Sequence, residues 1–246
     1  MSKSSEKSND TIVETFKDII PLSFGEEIGN AASHGVAALL TLLVLPYAAV
    51  HSYIAYGTLA SVSMSIYVIS IFMMFISSTI YHSMQNETPH KYILRIIDHS
   101  MIYVAISGTY TPILLTVVGG WIGWTVFILL WGTTLWGILY KSIAVKVNQK
   151  LSLIVYLVMG WVGIILLPII FIRTSWIFIL FIFLGGVSYT IGCMVLCTKK
   201  QTIFSYDMAY FYCYSIIIAF NCYFIFYVIV YQKVGGTPLF LLLNSF

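Results

Sequence analysis

Residues 96–118 read IIDHSMIYVAISGTYTPILLTVV. The run is long enough to cross a bilayer as a helix, which takes about 20 mostly apolar residues. It nevertheless carries Asp98 and His99 near its start. A later apolar run carries Asp207 at its start, and these two are read as the carboxylates set within the long apolar runs. An ionisable group at membrane depth costs several kcal/mol and marks a functional site by default. A second reading stands beside that one. A carboxylate in the first turn of a helix complements the positive end of the helix dipole, and Ser205 is placed to cap the helix that Asp207 enters.

The rest of the chain has the same character. Of its 246 residues 60% are hydrophobic and 9% charged, and the mean hydropathy is +0.94. Soluble domains carry roughly 25% charged residues, so this composition could not cover a water-facing surface. The strict alternation of a barrel strand is absent. The expected fold class is therefore all-α, a polytopic membrane protein, with helices near 32–56, 59–83, 96–118, 121–140, 151–172, 175–197 and 206–231. Gly57-Thr58, Gly119-Gly120 and Arg173-Thr174 supply turns between them, and the polar stretch from His82 to Arg95 separates the second and third. The domain organisation read from this is a polar cytoplasmic tail over 1–24, a seven-helix membrane domain over 25–232 and a short outer tail over 233–246. No cleavable signal peptide is read at the start.

The cations are sided. Lys3, Lys7, Lys17, Lys91, Arg95, Lys141, Lys146, Lys150, Lys199 and Lys200 fall on the N-terminal side of a seven-span arrangement, and only Arg173 and Lys233 on the other. Positive-inside bias then places the N-terminus in the cytoplasm. The net charge of +3 gives no reason to expect nucleic acid, and membrane lipids are the expected partners. Cys193, Cys197, Cys213 and Cys222 all lie in apolar stretches without CxxC spacing, and read as small helix residues. Pro46, Pro112 and Pro168 lie in the outer halves of odd helices, where neighbours can satisfy the carbonyls they free; kinks are expected, with or without a cavity beside them.

Polar residues converge at the cytoplasmic leaflet. Helix one begins with Glu27, Asn30 and His34 on one face; Ser78 and His82 share a face near the end of helix two; Asp98-His99 opens helix three and Tyr206-Asp207 helix seven. His51, at the far end of helix one, reads as structural, and His90 as a solvated loop residue. Tyr206, Tyr210, Tyr212 and Tyr214 suit an interfacial aromatic belt.

Glu27-x2-Asn30-x2-Ser33-His34, Ser78-x3-His82, Asp98-His99-Ser100 and Gly108-Thr109-Tyr110-Thr111-Pro112, in that order, resemble the hemolysin III family, which belongs with the adiponectin and progestin receptors. Met159-Gly160-Trp161 and Gly185-Gly186-x2-Tyr189-Thr190-x-Gly192 extend the likeness, which covers roughly residues 20–230. The resemblance implies seven helices, a multi-pass protein of the cell membrane and a zinc site at the cytoplasmic leaflet. His82 takes the position of a zinc ligand in that site, and Asp98 that of an aspartate beside the metal-bound water. The family's remaining ligands are a pair of histidines at the start of helix seven. Here those positions read Tyr206 and Tyr210, and no histidine follows His99. His82, Asp98 and Asp207 form the candidate metal set that remains, one histidine and two carboxylates, which favours a harder cation than zinc.

The resemblance thus implies a pore-forming (hemolytic) or membrane-lipid regulatory protein with a degenerate metal site. One alternative is a zinc-dependent hydrolase of a lipid amide or ester, with Asp98 as general base and Ser78 steadying the oxyanion. Another is a lipid-ligand receptor. Whether the chain is an enzyme stays open at this point.

Overall fold

The computed structural model describes residues 22–85, 88–144, 148–174, 176, 179–180, 182–187 and 190. Five helices run in chain order: α1 Phe24–Tyr56, α2 Thr58–Ser83, α3 Pro89–Pro112, α4 Gly120–Ile143 and α5 Gln149–Arg173. A π-helical segment, Ile113–Val118, continues α3. All five are long and apolar enough to cross a membrane, and no strand occurs among the described residues. Part of the expected sixth helix is described, and residues 182–187 are helical. The expected seventh helix, with Tyr206, Asp207 and Tyr210, lies outside the described residues, as do residues 1–21 of the expected N-terminal tail, the expected outer tail and all four cysteines.

The helix ends follow from local chemistry. Ser23 and Glu26 form a reciprocal capping box: Ser23 Oγ accepts from the Glu26 amide at 3.3 Å, and the Glu26 carboxylate accepts from the Ser23 amide at 2.8 Å. That box starts α1 eight residues before the expected start at residue 32. Thr88 Oγ1 accepts from the Lys91 amide at 3.2 Å, and Pro89 takes the first helical position, a pairing that suits a helix start because proline has no amide to satisfy there. Lys91 and Arg95 are therefore helical, not part of a polar connection, and His90 is an exposed residue of the first turn of α3 rather than of a loop. The glycine turns are as expected: Gly57 (φ 81°) and Gly119 (φ 57°) close α1 and the π-segment in a region that other residues avoid.

Pro112 marks the change from α to π winding. The Gly119 amide reaches back five residues to the Leu114 carbonyl at 2.9 Å, so the backbone downstream of the proline stays bonded. Pro46 and Pro168 lie inside α1 and α5.

The layering is legible from burial. On α1, Val36, Leu39, Leu43, Tyr47, Val50 and Ile54 form an exposed stripe at helical spacing. Its opposite face, with Glu27, Asn30, Ala38, Thr41 and Ser52, is buried against α2. The centre lies between α2 and α3, filled by Tyr67, Val68, Ile71, Tyr103 and Leu114, while α4 and α5 pack on the other side of α3. Small residues permit the close approach, as is usual where lipid provides no hydrophobic drive between helices. Polar side chains bind the layers together: Ser107 meets Thr134 at 2.7 Å, and Trp131 Nε1 donates to Thr111 Oγ1 at 3.2 Å, both between α3 and α4. At the far end Arg173 of α5 donates to the carbonyls of Val117 and Val118 at 3.1 and 2.8 Å, capping the π-segment.

A methyl group placed on Gly108 would lie 2.4 Å from Ser70 Cβ. Gly108→Ala is therefore expected to lower stability by about 1–3 kcal/mol through overpacking. Adding Ser70→Gly should restore most of the loss. Thermal unfolding of the single and double variants in detergent measures both effects.

Candidate functional site

At the end of the bundle where α1 and α3 begin and α2 finishes, Glu27, His82 and Lys91 meet. Their relative exposures are 8%, 5% and 3%. Glu27 Oε2 lies 2.7 Å from His82 Nδ1, and Glu27 Oε1 2.5 Å from Lys91 Nζ. An ionised carboxylate only accepts, so His82 Nδ1 carries the proton of that bond. Lys91 also donates to the Met84 carbonyl at 3.0 Å and sits 5.2 Å from the centre of the Tyr81 ring. One carboxylate thus joins three helices and balances a buried ammonium. A buried charge without such a partner would be strongly destabilising.

A second polar contact stacks on the first. His34 Nδ1 lies 2.6 Å from Ser78 Oγ, and the His34 and His82 rings meet edge-on with centroids 6.0 Å apart. The expected face of α1 (Glu27, Asn30, His34) and the expected face of α2 (Ser78, His82) therefore meet each other. Ser78, expected as an oxyanion donor, is engaged by His34.

Asp98 lies in the next turns of α3 after Lys91. Its Oδ2 is 3.6 Å from His99 Nδ1, and His99 Nδ1 is 2.9 Å from the Arg95 carbonyl. Beside it Lys141 of α4 is buried, donating to Tyr156 Oη at 2.7 Å, with the Tyr103 and Tyr156 rings 5.6 and 5.1 Å away. Tyr156 in turn donates to the His99 carbonyl at 2.5 Å. Two of the sided cations, Lys91 and Lys141, are thus buried structural charges rather than loop charges.

Sequence reasoning placed Glu27 on the correct face but did not single it out, because it lies before the apolar part of α1. Lys91 reads from sequence as a connecting residue. The Thr88-Pro89 pair was the available signal that α3 begins early enough to carry it inward.

The order of these residues along three packed helices agrees with what the chain matches. A family model described as "Haemolysin-III related" matches residues 22–224. The chain belongs to the hemolysin III family. Among hemolysin III relatives, "Hemolysin-3 homolog" of Bacillus subtilis (strain 168) is 40% identical over 176 residues, covering 71% of this chain and 82% of the relative. "Hemolysin-3" of Bacillus cereus is 32% identical over 176 residues, covering 71% and 80%. No solved structure matches the chain. Family membership together with the apolar helices makes this an integral, multi-pass membrane protein.

The zinc implied by the family resemblance can be tested against the donor set. An open zinc site takes three protein ligands. Among the described residues no three of His, Cys, Asp and Glu converge to hold a metal. Glu27 is not a spare ligand, since its two oxygens serve His82 and Lys91. The described residues alone do not fit zinc. Completing the set would require residues such as Asp207, outside the described part.

Breaking the buried pair one-sidedly should be costly. Lys91→Met is expected to lower stability by about 3–5 kcal/mol, because it strands the Glu27 carboxylate. The double variant Glu27→Gln/Lys91→Met should recover much of that loss. A double-mutant cycle from chemical unfolding in detergent measures the coupling.

Proposed function

We propose that this hemolysin III protein is a membrane-lipid regulatory protein that works without the family's zinc and without forming a lytic pore. The observation that carries the reading is the commitment of both Glu27 oxygens to protein donors in the Glu27–His82–Lys91 network. The network is charge-balanced by protein groups alone and sits where the resemblance puts the metal. Tyr206 and Tyr210 at the positions of the helix-seven histidines point the same way. The filled centre between α2 and α3, with Tyr67, Tyr103 and Leu114 fully buried, supports a packed bundle over a water-filled path through it. The sidedness of the remaining cations favours a cytoplasmic position for the polar end, at the level of lipid headgroups. The printed name of the Bacillus cereus relative, "Hemolysin-3", favours a second reading, membrane lysis.

Elemental analysis and vesicle leakage separate these readings. Purified protein should carry well under one zinc per chain, its unfolding temperature should not change with a chelator, and dye-loaded vesicles should stay sealed after reconstitution. One tightly held zinc per chain would overturn the metal-free reading, and dye release by correctly folded protein would favour lysis. A gain-of-binding variant sharpens the test. Tyr206→His/Tyr210→His should acquire about one zinc per chain, as a three-histidine set does, and His82→Ala in that background should lose it.

A further inference from the structure

A cavity of about 320 Å³ lies at the opposite end of the bundle, between α3, α5 and the helical residues 182–187. Tyr110, which lines the cavity, lies nineteen positions after Lys91 along α3, a rise of about 28 Å. The cavity is therefore not part of the Glu27 site. Its wall runs along α5 from Gly160 to Leu167, just before Pro168. That places it about 9–20 Å below Arg173 at the end of α5, the depth of acyl chains rather than of headgroups.

The lining selects for hydrocarbon. Ile164, Leu167, Ile179, Leu180 and Phe183 supply apolar surface. The two polar side chains that could bind a polar guest are committed to protein. Tyr110 Oη donates to the Gly160 carbonyl at 2.5 Å and accepts from the Gly163 amide at 3.0 Å, and Trp161 Nε1 donates to Thr190 Oγ1 at 3.1 Å. The mouth opens on the lipid-facing belt, where Ile164, Trp176 and Phe183 are 53%, 68% and 56% exposed. Trp176, just beyond α5, suits the headgroup level, where indoles concentrate. Gly186 lets its helix approach the Trp161 ring at the cleft wall, since a methyl group there would lie 3.3 Å from that ring.

We propose that this cleft is a docking site for one acyl chain of a bilayer phospholipid, entering sideways between α5 and residues 182–187. The occupant is a hydrocarbon tail because the cleft combines acyl-chain depth, a side opening to the bilayer and wall polar groups already satisfied by protein.

The test uses full-length protein in vesicles of phosphatidylethanolamine and phosphatidylglycerol, with a trace of phosphatidylglycerol carrying a photoreactive diazirine in mid-chain. After illumination, labelled peptides are mapped by mass spectrometry. Label should concentrate on residues 160–167 and 179–186 relative to the exposed stripe of α1, and excess unlabelled phospholipid should remove it. Gly186→Leu should abolish the excess at the cleft while leaving the α1 label unchanged. Leu167→Trp fills the same space from α5 and serves if the glycine variant does not fold. Equal labelling of cleft and α1 stripe, or an excess that survives in a folded filled variant, overturns the proposal. If free fatty acid displaces the label while excess phospholipid does not, the assignment to phospholipid is likewise overturned.

Discussion

A carboxylate cannot sit unpaired between helices at the edge of a bilayer, and Glu27 is the residue through which this chain meets that constraint. Its two oxygens take His82 from α2 and Lys91 from α3. The contact fixes the rotation of α1 about its axis, because the face that carries Glu27 also carries Asn30 and His34. Once that face is turned inward, Val36, Leu39 and Leu43 are turned outward to lipid. The same contact sets the depth of α3, since Lys91 reaches Glu27 only if the helix begins at Pro89. A single ion pair therefore couples a local capping choice to the packing of three helices.

The opposite end solves a different problem with different chemistry. Pro112 interrupts the α-helical ladder, and the chain continues as a π-segment whose terminal carbonyls are capped by Arg173 from α5. Tyr110 inserts its hydroxyl between the Gly160 carbonyl and the Gly163 amide of α5, which joins α3 to α5 at the wall of the cleft. Backbone irregularity in hydrocarbon is tolerated where protein groups satisfy it, and these contacts do so. The polar end is closed by charge pairing, whereas the other end leaves a cleft beside Pro168. Motif residues gather at both ends: Glu27, His34, Ser78 and His82 at the first, and Tyr110, Gly160, Trp161 and Gly186 around the cleft at the second.

Much of this was legible without coordinates. Apolar runs and glycine turns set the number and rough limits of the described helices. Spacing by three and four put Glu27, Asn30 and His34 on one face, and Ser78 and His82 on another. The reading failed where a polar residue is held inside by a partner far away in sequence. Lys91 looks like a loop charge because hydropathy averages over a window, while its burial depends on one carboxylate 64 residues away. Lys141 looks the same for the same reason, and is buried by Tyr156 and the His99 carbonyl. Asp98 stands out in sequence because apolar runs flank it, and in the structure its Oδ2 lies 3.6 Å from the adjacent His99 Nδ1.

By itself the sequence determined that the chain spans a membrane as helices and which faces of the first two helices are polar. Those properties follow from composition, periodicity and residue identity, which need no partner. Only the tertiary structure decided which polar faces meet, that Glu27 and Lys91 complete the surroundings of His82, and that a cleft opens between α5 and residues 182–187. Those depend on distances between residues remote in the chain. In hydrocarbon, where apolar surfaces are nearly interchangeable, paired charges and satisfied backbone groups select one packing from the many that hydropathy allows.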